Sequence, residues 1–140
     1  MNQIKKLVIM QGLPGSGKST LAKEMFQPGV NIRLNRDLLR EMLHFNTWNR
    51  NLEKQTVKAE KALAELFLNM GLDVIIDDTN LAEKTVRMWG DLAAKNEALF
   101  CTATTNATLE ECIERDKKRG EEGGRCVGEE VIRRMANEQM

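Results

Sequence analysis

The sequence predicts an α/β fold, in which a small parallel sheet of about four strands is flanked by helices. Short apolar runs alternate along the chain with segments of helical periodicity, and strands separated by helices require right-handed crossovers, which make a sheet parallel. A glycine-rich segment lies between the first apolar run and the first helical segment. The length of 140 residues is typical of one domain. We therefore expect residues 1–140 to form a single domain with ligands at the carboxyl ends of its strands.

The first two strands and helices follow from short local patterns. Lys6–Met10 is a short apolar run, which is typical of a buried strand. Lys18–Phe26 has a helical pattern that ends at a Pro-Gly pair. Val30–Leu34 alternates apolar and polar residues and predicts a second strand. Asn35 can cap a short helix that runs from Arg36 to about Leu43.

A polar segment and a longer helix come next. His44–Asn51, with the sequence HFNTWNRN, is irregular, and we interpret it as a loop with two aromatic residues, Phe45 and Trp48. Beyond it, residues at helical spacing mark one face of a helix that Gly71 ends as a C-cap. The residues of that face are Thr56, Ala59, Leu63, Phe67 and Met70.

The second half of the chain repeats the alternation. The predicted third and fourth strands are Val74–Asp77 and Ala98–Thr104. The segment Gly120–Gly124 is rich in glycine and charge, and it predicts a hinge. Three further helices are predicted at about Ala82–Lys95, Leu109–Lys118 and Gly128–Asn137.

Composition limits the classes of function. The chain has 21 basic and 21 acidic residues, so it has no global field that would attract a polyanion, and any site for one must be local. No apolar run approaches the roughly 20 residues of a membrane helix, so we expect no membrane partner. Cys101, Cys112 and Cys126 lack metal-site spacing and cannot all pair. Reduced thiols in a cytosol fit them best.

The segment Gly12–Ser19, GLPGSGKS, fits the pattern G-x4-G-K-[ST] between a strand and a helix. Successive N–H groups in such a loop form a nest for an anion, and the helix N-terminus adds partial positive charge. The Lys18 ammonium can reach the β- and γ-phosphates of a nucleoside triphosphate, and the Ser19 hydroxyl can bind Mg²⁺. The residues expected to bind the nucleotide are Gly12, Gly15, Ser16, Gly17, Lys18, Ser19 and Thr20.

Two carboxylates follow the third predicted strand. A hydrophobic strand that ends in Asp77 and Asp78 delivers negative charge beside the glycine loop. Either carboxylate could hold Mg²⁺ directly or through water, together with Ser19. The residues alone do not decide which of the two contacts the ion.

Two charged segments predict a phosphotransferase. In LNRDLLR, Asp37 and Arg40 lie three residues apart on one helix face, where the carboxylate could orient a hydroxyl and the guanidinium could bind an acceptor phosphate. In ERDKKRG, Arg115 and Arg119 lie four residues apart, before the predicted hinge. They could close over the triphosphate as a lid of about residues 115–127. The alternative for Asp37 and Arg40 is an ordinary surface salt bridge.

Taken together, four segments resemble the 5′-kinase domain of phage-type polynucleotide kinases: GLPGSGKST, LNRDLLR, IIDDTNL and ERDKKRG. The resemblance spans nearly the whole chain and implies a three-layer P-loop kinase fold with a helical lid. It also implies the use of ATP and Mg²⁺, and a location in the cytoplasm, that of the host if the chain is encoded by a phage. The site residues that it implies are Asp37 as general base, Arg40 and Thr79 beside the acceptor, Lys18 and Ser19 at ATP and Mg²⁺, Asp78 beside them, and Arg115 and Arg119 in the lid.

The acceptor expected from this resemblance is a hydroxyl of DNA or RNA, most directly the 5′-OH end, bound over a few nucleotides. The chain also resembles phage kinases that phosphorylate 5-hydroxymethyluracil within DNA, whose acceptor is likewise a primary alcohol near a phosphate. A small-molecule kinase of the gluconate or antibiotic-phosphotransferase type is a further alternative, as is a nucleotide-binding ATPase module without a kinase activity. Phe45 and Trp48 either stack on a base, which favours nucleic acid, or pack against the protein.

Overall fold

A computed structural model describes residues 4–105, 107–123 and 126–138 of the chain. Strands and helices alternate from the first strand to the fourth, apart from two successive helices between the second and third strands. The elements are β1 (Lys6–Gln11), α1 (Lys18–Met25), β2 (Asn31–Leu34), α2 (Arg36–His44), α3 (Arg50–Asn69), β3 (Asp73–Ile76), α4 (Glu83–Lys95), β4 (Leu99–Thr104), α5 (Leu109–Glu121) and α6 (Glu129–Glu138).

The four strands form one parallel sheet in the order β2-β3-β1-β4. In β1, Ile9 lies opposite Ile76 of β3 and Thr102 of β4. The two central strands, β1 and β3, therefore end side by side. Because parallel strands share one carboxyl edge, the loops after β1 and β3 meet at the place where this architecture binds ligands.

Helices cover both faces of the sheet, so the predicted three-layer α/β fold is confirmed. One face, with Leu7 and Ile9 of β1, packs against α3 and α4, where Trp89 is fully buried. The opposite face, with Met10 of β1, packs against Ala22 of α1. This division follows from the period of two in a strand, which sends alternate side chains to opposite layers. A third cluster joins α5 and α6. No described helix combines the length and the apolarity that crossing a membrane would need.

The loop predicted at His44–Asn51 is shorter in the structure. Helix α2 continues to His44, and α3 begins at Arg50 because the Asn49 side chain accepts a hydrogen bond from the Leu52 N–H and caps the helix. Met70, the last residue of the predicted helical face, is the C-cap residue of α3 and is 63% exposed. The most deeply buried residues of that helix are Thr56, Glu60, Ala64 and Leu68.

The predicted hinge at Gly120–Gly124 also needs correction. Gly120 and Glu121 belong to α5, and Gly124 lies outside the described residues. A Cβ atom at Gly120 would lie 2.7 Å from Cβ of Cys126. Gly120 therefore allows α5 to pack closely against the segment before α6. The helix continues through this glycine and ends at Glu121.

Candidate active site

The loop between β1 and α1 has the backbone of an anion cradle. Gly15 and Gly17 have φ angles of +82° and +92°, which only glycine adopts at low cost. A Cβ atom at Gly15 would lie 2.3 Å from the carbonyl oxygen of Cys112, so α5 packs directly on the loop. The backbone N–H groups of Gly15, Gly17, Ser19 and Thr20 donate to no acceptor within the described residues. These groups fit the oxygens of a phosphate chain.

The cradle opens into a cavity of about 210 Å³ that also receives charge from α5. Lys18, Ser19 and Thr20 line it from the loop, while Arg115 and Arg119 line it from the helix. NH1 of Arg115 donates to the carbonyl oxygen of Gly15 over 3.3 Å. Three cationic side chains thus surround one small space, as a triphosphate requires.

Of the two aspartates after β3, Asp77 faces the glycine loop. The Ser19 hydroxyl donates to Oδ1 of Asp77 over 3.3 Å. Oδ2 of the same carboxylate accepts from Nε of Arg33 at 2.8 Å and lies 2.6 Å from its NH2. A hydroxyl and a carboxylate at this separation fit Mg²⁺, which takes one or two protein ligands and completes its octahedron with water and phosphate oxygens. The assignment of Mg²⁺ to Ser19 and Asp77 stays a prediction.

Asp78 is directed to the start of α2. Its Oδ1 accepts a hydrogen bond from the Arg36 N–H over 2.8 Å. Glu60 of α3, which is fully buried, approaches the same carboxylate, and its Oε1 accepts from Nε of Arg36 over 3.3 Å. Burial, together with the neighbouring Asp78, raises the pKa of Glu60 to about 9. At neutral pH Glu60 is therefore protonated and can donate to Asp78, where Oδ2 is buried without a partner.

The start of α2 is held against the end of β3 by a second bond. The Asn35 side chain caps the helix by accepting from the Leu38 N–H, and its amide donates to the Asp77 carbonyl oxygen over 2.7 Å. Helix α2 therefore begins at a fixed place beside the sheet edge. This arrangement sets the position of Asp37, in the first turn of the helix.

Asp37 and Arg40 form an ion pair, and Arg40 also binds a residue of α3. NH1 of Arg40 donates to Oδ1 of Asp37 over 2.8 Å, while its Nε and NH2 donate to the two oxygens of Glu53, each over 2.8 Å. The bonds to Glu53 raise the pKa of the guanidinium, and the bonds from Arg40 lower the pKa of Glu53. Each terminal amino group of Arg40 keeps a second N–H that could bind a phosphate.

Buried Asp116 holds the segment before α6 against α5. Its carboxylate accepts hydrogen bonds from the N–H groups of Val127 and Gly128, each at 2.9 Å, and from NH2 of Arg119 at 3.1 Å. Burial by itself would raise the pKa of Asp116. The hydrogen bonds from the N–H groups of Val127 and Gly128 have the opposite effect, and the net result is a lowered pKa. The predicted lid range of about 115–127 thus includes the end of α5 and the start of the segment that leads into α6.

A second cavity, of about 370 Å³, lies between the glycine loop and the first turns of α2. Most of the predicted site residues line it, and Trp48 lines it with them. They are Lys18, Ser19, Asp37, Arg40, Asp77, Asp78, Thr79 and Arg119. Gly12 and Ser16 lie elsewhere, beside a small cavity next to β4. A Cβ atom at Gly12 would lie 2.4 Å from Oγ of Ser16, so these two residues pack closely.

Sequence reasoning missed the polar residues that hold the site residues. Arg33 binds Asp77, and Glu53 binds Arg40. Glu60 lies beside Asp78, and Asp116 binds Arg119. Only Glu60 left a signal, because it is a charged residue four positions after Thr56 and four before Ala64, on the buried face of α3.

Comparison with known proteins shows the family of the chain. The family model described as an AAA domain (AAA_33) matches residues 7–139. A viral protein named as a bifunctional polynucleotide kinase/RNA ligase, from Autographa californica nuclear polyhedrosis virus, is 34% identical over 84% of this chain and 18% of that protein. The L-seryl-tRNA(Sec) kinase of Methanococcus maripaludis is 31% identical over 92% of this chain and 50% of that protein. The chain thus spans half or less of each of these two relatives.

Solved structures of other proteins share the fold of this chain. A chain from the Pnkp1/Rnl/Hen1 RNA repair complex aligns with a TM-score of 0.87 and 27% identity, over 99% of this chain and 45% of that one. The APS kinase CysC of Mycobacterium tuberculosis aligns with a TM-score of 0.66 over 86% of this chain and 73% of that one, and its 21% identity shows the fold alone. The chain belongs to the AAA domain family, and over most of its own length it is similar to proteins named as polynucleotide and tRNA kinases.

Proposed function

We propose that this protein transfers the γ-phosphoryl group of ATP to a hydroxyl of DNA or RNA, at the 5′-OH end. One observation carries the proposal: Lys18 and Ser19 of the glycine loop line the same cavity as Asp37 and Arg40. A nucleotide-binding module without transfer activity would need no carboxylate and guanidinium on the far side of that cavity. The names of the two relatives, a polynucleotide kinase and a tRNA kinase, support the same class of acceptor.

In this mechanism the residues have separate roles. The glycine loop and Lys18 bind the β- and γ-phosphates, and Ser19 and Asp77 would hold Mg²⁺, which neutralises phosphate charge when bound. Asp37 accepts the proton of the acceptor hydroxyl while the oxygen of that hydroxyl bonds to the γ-phosphorus. The bond from that phosphorus to the β–γ bridging oxygen breaks, and ADP leaves. Arg119 approaches the transferring group from α5 and stabilises the charge on it.

Arg40 would bind the phosphate that follows the acceptor sugar. Its two remaining N–H donors suit this role, and its bonds to Glu53 fix the plane of the guanidinium before the acceptor arrives.

A 5-hydroxymethyluracil base in DNA carries the same chemical group as the 5′ end, a primary alcohol near a phosphate. So does a seryl group on tRNA, the acceptor in the name of one relative.

The test is label transfer from γ-labelled ATP to four acceptors: a 5′-OH oligodeoxynucleotide, a 5′-OH oligoribonucleotide, a 5′-phosphorylated DNA containing 5-hydroxymethyluracil, and gluconate as a small-molecule acceptor. We expect label on the 5′-OH oligonucleotides, released by a phosphatase specific for termini. If label appeared only on the internal 5-hydroxymethyluracil base, that base and not the 5′ end would be the acceptor. Absence of label from every nucleic acid would refute the proposal.

A further inference from the structure

A stripe of cationic residues runs along one face of α3, outside the active site. Arg50, Lys54, Lys58 and Lys61 follow one another at spacings of three or four residues, so they lie on the same side of the helix. None of the four forms an ion pair in the part of the chain that the structure describes. In a protein with equal numbers of basic and acidic residues, this is a local concentration of positive charge.

The stripe borders an open groove of about 550 Å³. Its apolar lining includes Trp48, which is 65% exposed, and Val57. The one carboxylate in the groove, Glu53, is bound by Arg40 and does not neutralise the lysines. An aromatic ring beside a row of cations is the combination that binds single-stranded nucleic acid, because bases stack on the ring while phosphates contact the cations.

The groove and the cavity of the candidate active site share Trp48 as a lining residue. This residue lines the 370 Å³ cavity that contains Asp37 and Arg40, and it also lines the groove beside α3. Trp48 lies on the loop between α2 and α3, with Phe45, which is 92% exposed. The expectation that these aromatics pack against the protein therefore does not hold. A chain whose end lies at Asp37 can pass Trp48 and continue along α3.

We propose that the groove formed by Trp48, Val57 and the cationic stripe binds the single-stranded stretch of the acceptor that follows the phosphorylated end. The direction of the strand rests on the proposed function, but the binding of single-stranded nucleic acid does not. A duplex is disfavoured as the occupant, because Trp48 can stack only on a base that has left its own stack.

Binding is tested without catalysis, by fluorescence anisotropy with a labelled 12-nucleotide single strand that already carries a 5′ phosphate. The stripe variant is Lys54→Gln/Lys58→Gln. The control is Lys23→Gln/Lys84→Gln, which removes the same charge from exposed positions on α1 and α4. We expect the stripe variant to bind about tenfold more weakly, and its slope of log K against log salt to be shallower by about 1.4. The control should match the wild type.

The aromatic contact has its own readout. Trp89 is buried and Trp48 is exposed, so oligonucleotide binding should quench the emission of Trp48, and Trp48→Phe should lose that quenching. Trp48→Ala should weaken binding about tenfold, and Trp48→Phe less. Equal affinity in wild type, stripe variant and Trp48→Ala would overturn the proposal. A matched duplex or a polyglutamate peptide that bound as tightly as the single strand would also overturn it.

The kinetic experiment separates this proposal from the proposed function. The stripe variant should raise the KM of a 12-nucleotide acceptor and leave that of a dinucleotide unchanged. If the wild type binds the single strand through the stripe and transfers no label, the kinase assignment fails and the groove assignment holds. If label is transferred and the stripe variant has wild-type KM values for both acceptors, the groove assignment fails and the kinase assignment holds.

Discussion

Asp37 occupies its place through bonds made by its neighbours. Asn35 and Asp78 attach the first turn of α2 to the end of β3, and Arg40 binds the Asp37 carboxylate directly. The dipole of a helix favours negative charge in its first turn, so it stabilises a carboxylate there. The residue therefore has both the charge and the fixed position that a general base requires.

Replacing Asp37 by asparagine should remove phosphoryl transfer and preserve nucleotide binding. The amide keeps the size of the side chain but cannot take the hydroxyl proton, so we expect the rate to fall about 10²–10⁴-fold. Single-turnover transfer and the affinity for an ATP analogue are the measurements. Glu41→Gln, at an exposed carboxylate on the same helix, is the control. Wild-type transfer by Asp37→Asn would show that Asp37 and Arg40 form only a structural pair.

Glu60 should make stability depend on pH. Its pKa is raised from 4.5 to about 9 in the folded protein, so between these values the folded chain holds a proton that the unfolded chain has lost. The free energy of unfolding should therefore decrease as pH rises through this window, by at most about 1.4 kcal/mol per pH unit. Thermal melts at pH 6, 7 and 8.5 without nucleotide or metal measure the trend.

Glu60→Gln should flatten this dependence. The amide cannot titrate, yet it can still donate to Asp78 and accept from Arg36. Glu65→Gln, on the same helix and paired with Lys95 at 3.5 Å, should keep the wild-type slope. A slope in Glu60→Gln as steep as that of the wild type would mean that other groups cause the dependence.

At the scale of elements, close packing fixes the end of α5 and the segment that leads to α6. Asp116 bonds to Val127 and Gly128, and Cys126 lies against Gly120, where no side chain fits. The same helix carries Arg115 and Arg119 to the 210 Å³ cavity at the glycine loop. The position of the two arginines thus depends on how α5 packs against the glycine loop and this segment.

Gly120→Ala should lower transfer although alanine is the better helix former. The new methyl group would collide with Cys126 and displace the segment that Asp116 holds, so we expect a lower melting temperature and a reduced rate. Gly90→Ala is the matched control in α4, where the added Cβ would meet the Phe100 ring at 3.4 Å. It should be neutral or more stable by up to about 1 kcal/mol. Equal behaviour of the two variants in melting and transfer assays would contradict this account.

At the scale of the whole molecule, a bound nucleotide would connect elements that are distant in the chain. Residues from the loop before α1 and from α5 together line the 210 Å³ cavity at the glycine loop, and Asp77 after β3 lines the 370 Å³ cavity. A ligand that binds only the folded chain adds to its stability by mass action. Stabilisation by nucleotide therefore reports on the assembled site.

A nonhydrolysable ATP analogue with Mg²⁺, at about 100 times its Kd, should stabilise the protein by about 2.7 kcal/mol. Lys18→Ala should show a much smaller shift in melting temperature at the same concentration, since the β- and γ-phosphates lose their ammonium partner. Lys23→Ala, at an exposed position on α1, should retain the full shift. An undiminished shift in Lys18→Ala would remove this lysine from the nucleotide site.

The sequence by itself determined the α/β class, the order of the elements and the glycine loop. These features are encoded within a few neighbouring residues: apolar periods for β1 and α3, positive φ angles at Gly15 and Gly17, and the Asn35 cap of α2. The elements whose ends were mispredicted, α3 and α5, begin or end where a cap or a packing contact overrides the local pattern.

Only the tertiary structure decided which polar groups pair. Ser19 binds Asp77, Arg40 binds Glu53, and Asp116 binds Val127, each across a gap in sequence that the fold closes. The orientation of Asp77 and Asp78 is a second example. Successive side chains alternate after β3, so Asp77 faces the glycine loop while Asp78 faces the start of α2. Such pairs depend on the crossovers that bring distant segments to one sheet edge, and no local pattern of residues contains that information.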